Sequence, residues 1–209
     1  MTKIFLIRHG QTEWNLAGKY QGQSNVQLSA RGVEQARMLA AAFPARQLDA
    51  IYASDLSRAM TTARMIAERF RLPVQPEKAF REMNFGDWEG LTYAEIAAKW
   101  PDIANDFFRR PDRLLVPHGE TFAILQERAV ARVEELCAAH AGQTIAVFAH
   151  GAVLRTILAA ALHMPLRYIW HIRQDNTAVN IVRYDEDGAL IDLLNSTAHL
   201  GGERPESQI

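Results

Sequence analysis

Three short apolar runs each end on residues that bind anions or carry protons. Ile4 to Ile7 is followed by Arg8-His9-Gly10, Ala50 to Ala53 is followed closely by Arg58, and Thr144 to Ala149 is followed by His150-Gly151. A guanidinium presents a planar fork matched to phosphate oxygens, and an imidazole serves as nucleophile, donor or acid–base group near neutral pH. Gly10 and Gly151 let the backbone approach a bound anion closely. A helix starting after His150-Gly151 would turn its positive end toward the same place. A lone histidine after a strand is more often structural than chemical, so the weight rests on the convergence. Two histidines and two arginines gathered at one end of a sheet make a phosphate site.

That convergence requires a particular architecture. Ile4 to Ile7 and Thr144 to Ala149 are continuously apolar, as strands buried on both faces should be, and Ala50 to Ala53 is predicted as another. Between them the spacing turns helical. Ser29 is expected to cap a helix reaching Phe43 with Val33, Ala36, Leu39 and Ala40 on its inner face. Ser54 or Asp55 would cap one through Met60, Ala63, Ile66 and Ala67. Arg81 to Leu91 reads as loop, and helices follow near Thr92 to Lys99 and Ile103 to Arg109, separated by Pro101. Phe122, Leu125, Ala129, Val133 and Leu136 set the stripe of a long helix, and a further helix runs from about Val153 to Leu162. Ala178 to Tyr184 and Ala189 to Leu194 read as a strand pair. Alternating strands and helices imply an α/β fold, three layers with a mostly parallel central sheet, whose ligands sit outside the carboxyl ends of the strands.

The bulk properties are permissive. The chain has 209 residues, read as a single domain over 1–200 with a polar tail over 201–209. Its net charge of −1 gives no electrostatic reason to expect nucleic acid or an anionic membrane as partner. Cys137 is the only cysteine, so no internal disulfide can form, and its place on an apolar helix face suits packing. The N-terminal apolar run is too short for a signal peptide, and no segment approaches the roughly 18 apolar residues of a membrane span. The cytoplasm is the expected location. The apolar surface of the long helix suits a homodimer and is equally explained by burial in the core.

Leu6-Ile7-Arg8-His9-Gly10-Gln11-Thr12-Glu13-Trp14-Asn15 resembles the signature of the histidine phosphatase (phosphoglycerate mutase-like) superfamily. Four further matches keep the family's order: Gln21-Gly22; Ser54 to Ala59; Arg81-Glu82 with Gly86-Asp87-Trp88-Glu89-Gly90; and Ala149-His150-Gly151. The resemblance implies a phosphoglycerate mutase-like fold and residue roles. His9 would be the nucleophile that becomes phosphorylated. Arg8, Arg58 and His150 would hold the phosphoryl oxygens, with Asn15, Gln21, Gly22 and Gly151 contributing, and Glu82 would protonate the leaving oxygen. Asp87 and Glu89 lie in the same loop and are rivals for that last role. Preorganised cations would stabilise the charge spread over the phosphoryl oxygens, so no metal and no cofactor is expected.

The same resemblance spans phosphatases and mutases. Phosphoglycerate mutases of the family follow the acidic residue with an Arg-His-Tyr-type segment, whereas Glu82 here precedes Met83-Asn84-Phe85-Gly86. Hydrolysis of small phosphorylated metabolites is therefore expected, and the segment is similar to that of broad-specificity and α-ribazole phosphatases. The alternatives are phosphoglycerate mutase-type transfer, α-ribazole phosphate hydrolysis specifically, and a phosphate-binding regulatory protein without turnover. Trp88, Trp100, Phe107 and Phe108 are the aromatics expected to wall an apolar part of the site. Asn25, Gln27 and Ala152 stand where the family often has aspartate, proline and a second glycine, departures that bear on substrate size.

Overall fold

Ile4-Phe5-Leu6-Ile7 has no polar face, and strand β1 (Thr2–Arg8) accordingly lies inside the sheet with both faces covered. The computed structural model describes residues 1–202; Gly201 and Gly202 form a turn, and the rest of the expected tail lies outside the described residues. Six strands run in the order β3-β2-β4-β1-β5-β6, with β2 at Ala50–Ala53, β3 at Val74–Pro76, β4 at Thr144–Ala149, β5 at Val179–Asp185 and β6 at Gly188–Ser196. The pairs β3–β2, β2–β4 and β4–β1 are parallel, while β5 and β6 are antiparallel additions. Short β3 escaped the sequence reading because three residues, two of them exposed, carry no periodicity.

Side chains alternate across the sheet and build two cores. Phe5, Ile7, Ile51, Ala146 and Phe148 pack with Leu39 of helix α2 (Ala30–Ala41) and with Ala63 and Ile66 of α3 (Ser57–Phe70), following the four-residue helix α1 (Glu13–Leu16). Ile4, Leu6, Ile145 and Val147 face the other way. They meet α4 (Tyr93–Lys99), α5 (Pro101–Arg109), α6 (Phe122–Ala139) and α7 (Gly151–Ala161). The three layers are those expected, and the whole stripe of α6 is buried in this second core. Among the described residues no helix is long and apolar enough to cross a membrane.

Capping explains where most helices begin. The Ser29 hydroxyl accepts from Gly32 N at 3.0 Å, and Thr92 and Thr121 cap α4 and α6. Two helices meet at Pro101 as expected, with the second starting two residues early: Pro101 itself opens α5 at its first position, where a missing N–H is harmless. Neither Ser54 nor Asp55 caps α3. Asn25 does so from 32 residues upstream, its Oδ1 accepting from Ser57 N at 2.8 Å. Asp55 is drawn instead into a two-pronged pair with Arg81, both bonds 2.6 Å, which holds its carboxyl below the ordinary aspartate range.

Candidate active site

Register brings the two histidines together. Arg8 pairs with Ala149 across β1 and β4, so His9 and His150 each follow immediately beyond neighbouring strand ends. Their rings are 5.1 Å apart between centroids, inclined at 60°. Arg58, in the first turn of α3, arrives from the next strand over. All three side chains are buried.

His9 is held from both ends. Its N–H donates to Ala149 O, and its carbonyl accepts from Thr177 N at 3.2 Å and Asn176 Nδ2 at 3.1 Å. Thr177, fully buried, sits at φ +57°, a conformation uncommon for a β-branched residue. Ring atom Nδ1 lies 2.6 Å from the Gly10 carbonyl. A carbonyl can only accept, so Nδ1 bears the proton and Nε2 holds the lone pair. Burial, then Arg58 and Arg8, push the imidazole well below its ordinary pKa, so it stays neutral.

The cations are committed in different ways. Arg8 Nη1 donates to Gln174 O at 2.6 Å, whereas its Nε is buried with no partner. Arg58 donates from Nη1 to Ser24 O and from Nη2 to Gly22 O, at 2.8 and 2.7 Å. Its Nε donates to His150 Nδ1 at 3.2 Å. Since Nδ1 accepts, Nε2 of His150 carries the proton and donates to Ser54 Oγ at 2.8 Å. The resemblance implies that His150 grips a phosphoryl oxygen. In this structure its nitrogens are engaged by Arg58 and Ser54, which fixes the ring beside the arginine.

Glu82 occupies the place expected for the anion at the start of α7. Its carboxylate accepts from Ala152 N and Val153 N, each at 3.2 Å, and from Met83 N at 2.9 Å. Its rivals are otherwise engaged: Asp87 meets His118 at the surface, and Glu89 ties down the loop carrying Gln21 and Gly22. Oxygens of Glu89 accept from Gln23 N, Ser24 N and Ser24 Oγ at 2.6–2.9 Å. Gly22 has φ +52°, and a Cβ there would stand 2.0 Å from Glu89 Oε1. Strain of about 1–3 kcal/mol would loosen this loop in Gly22→Ala. The expected result is a KM raised about tenfold with a smaller change in kcat, read from initial rates.

Arg8, His9, Asn15, Gln21, Gly22, Arg58, Glu82 and Gly151 all border one cavity of about 370 Å³. Asn15 Oδ1 is taken by the Thr12 N–H and hydroxyl, leaving its NH₂ for a bound anion. Of the aromatics expected in the wall, Phe107 is there. Trp88 is fully buried core, and neither Trp100 nor Phe108 lines the cavity. Tyr20, Phe85, Tyr93 and Trp170 complete the wall, together with Arg155, which the motif-led reading passed over. Among the described residues, no cluster of His, Cys, Asp or Glu is placed to hold a metal ion.

The buried histidines couple stability to acidity. Burial lowers His150 as it does His9, and lowers His199 to about 4. Unfolding exposes them to water, where they protonate near 6.5. Their contribution is full above that pH and lost as pH falls toward the folded values, each site steepening the loss by about 1.4 kcal/mol per pH unit. Denaturant midpoints should therefore fall steeply between pH 6.5 and 5, and the fall should be shallower in His199→Phe.

Comparison with known proteins gives consistent results. The histidine phosphatase superfamily (branch 1) profile matches residues 4–197. Phosphoserine phosphatase 1 of Hydrogenobacter thermophilus is 34% identical over 201 residues, covering 96% of this chain and 95% of that protein. The adenosylcobalamin/alpha-ribazole phosphatase of Escherichia coli is 31% identical, covering 94% and 97%. The solved structure of YhfR from Bacillus stearothermophilus superposes with a TM-score of 0.91 at 31% identity, covering 96% of this chain and all of that one.

Proposed function

Because this chain belongs to the histidine phosphatase superfamily, its activity is phosphate-ester hydrolysis through a histidine intermediate, and we propose that His9 carries the phosphoryl group without help from a metal. The observation that carries this reading is the state of His9: Nδ1–H fixed on Gly10 O, and a bare Nε2 bordering a cavity shared with Arg8 and Arg58.

In the first half-reaction Nε2 attacks phosphorus and the ester P–O bond breaks. The departing alkoxide takes a proton from Glu82, which must enter the step protonated. In the second, water attacks the phosphohistidine and gives a proton to the Glu82 carboxylate while the P–N bond breaks. The lone pair returns to Nε2, and inorganic phosphate leaves. Arg8 Nε, the Asn15 amide and the cationic field of Arg58 stabilise the negative charge of the transferring group, the task a metal performs in other phosphatases. His150 keeps Arg58 aimed.

The substrate is a small phosphomonoester, with phosphoserine the first to try on the strength of the Hydrogenobacter relative. Turnover of a phosphomonoester panel in excess EDTA tests the reading. Undiminished rates are expected. Loss of all turnover on chelation would overturn the metal-free mechanism, and phosphate binding without turnover by folded protein would favour a binding role.

A further inference from the structure

Arg155 is a buried cation with unfinished hydrogen bonding. It sits one and a half turns into α7, which is otherwise apolar from Ala152 to Ala161 apart from Thr156, and only 6% of it is exposed. Its Nε donates to Ile172 O at 2.8 Å, and its guanidinium lies 5.0 Å from the ring centre of Trp170. The indole is itself pinned by a bond from its Nε1 to Phe107 O. Orientation is thus fixed from two sides, while Nη1 and Nη2 make no hydrogen bond among the described residues and the side chain borders the cavity.

No ion pair satisfies it either. Glu82 and Asp175 both attract Arg155 from a distance, but Glu82 is held by the α7 amides and Asp175 by Arg173 and Asn195. Arg155 and Arg8 flank one glycine: a Cβ on Gly151 would lie 3.0 Å from Arg155 Nη1 and 3.6 Å from Arg8 Nε. A buried, unpaired guanidinium is costly unless an anion completes it.

We propose that Arg155 binds a carboxylate carried by the alcohol portion of the ester, so that the enzyme selects phosphorylated hydroxy acids. This rests on the phosphatase reading of the same cavity and adds the chemical class of its substrate. One N–H from each of Nη1 and Nη2 forms an edge of a planar fork, which suits the two oxygens of a carboxylate. Charge points the same way. Three buried guanidinium groups, Arg8, Arg58 and Arg155, border the site. Lys19 borders it as well, so the cavity favours an ester that carries a further anionic group beyond its phosphate.

The test uses two esters that differ in that group alone, O-phosphoserine and O-phosphoethanolamine, with wild type, Arg155→Gln and Arg155→Lys. Wild type should favour phosphoserine by about 100-fold in kcat/KM. Arg155→Gln should bring the two esters within about threefold, through a raised KM for phosphoserine, while phosphoethanolamine changes little. Lysine should restore part of the preference. Equal losses on both esters would mean that Arg155 serves the phosphoryl group, and a wild type without preference would equally overturn the proposal. Calorimetric binding of both esters to His9→Ala, with and without Arg155→Gln, reads the same preference without turnover. No hydrolysis of any ester would sink the phosphatase reading alone, and the calorimetry would still decide this one.

Discussion

His9→Ala should lose turnover by roughly 10,000-fold or more while still binding phosphate esters. The ring is removed, but its neighbours are held by contacts that do not pass through it: Arg58 by Gly22 O, Ser24 O and His150, and Arg8 by Gln174 O. The cavity therefore keeps its cations, and since the imidazole is neutral near pH 7 its removal leaves their mutual arrangement in place. Rapid quench with ³²P-labelled substrate would trap an acid-labile, base-stable phosphoenzyme in wild type and none in the variant. A variant that retained a labelled intermediate would place the nucleophile elsewhere.

Glu82→Gln should have an effect that depends on the ester. For an alkyl ester the leaving alkoxide needs a proton, and removing the donor should slow turnover by about 100- to 1,000-fold. For p-nitrophenyl phosphate the phenolate departs unaided, so the first half-reaction should survive. Dephosphorylation still lacks its base, and the expected record is a burst of one equivalent of p-nitrophenol followed by a slow steady state. The amide oxygen of glutamine can keep accepting from Val153 N and Met83 N, which share Oε1, and only the Ala152 N–H loses its acceptor, so the fold is preserved. Equal losses on both esters, with no burst, would assign the proton to another group.

The parts of this molecule legible in its sequence are those encoded by local pattern. Continuous apolar runs marked β1, β2 and β4, and His9, Arg58 and Gly151 from beyond their ends border one cavity, with His150 set just behind it, because parallel strands end on the same side. What escaped depended on distant partners. The cap of α3 comes from Asn25, across a loop whose path no spacing rule reports. Tyr20, Tyr93 and Trp170 belong to no motif, and only packing turns them toward the site. The bonds that tie His150 to Arg58 and Ser54 join residues about 90 positions apart, which no local pattern reports. Two signals were present and unused. Arg155 interrupts an apolar helix, and the polar run Gln174-Asp175-Asn176-Thr177 before β5 is buried throughout. A buried polar run asks for partners, and here they are Arg8, the His9 carbonyl and Arg173.

The strand that leads into the nucleophile precedes the other five strands of its sheet in the chain and is among the last to be completed. Both ladder partners of β1 come from the far half of the chain, β4 on one side and β5 on the other. During synthesis β1 emerges with two unsatisfied edges, a sticky template for intermolecular pairing until residues beyond Thr144 leave the ribosome. Until then β2 also lacks the neighbour that joins it to the sheet, since β4 lies between them. Folding must await long-range closure, which is slow. The same delay means that a chain stopped before β5 cannot assemble the phosphoryl-transfer centre, so chemical competence is tied to translation through that strand.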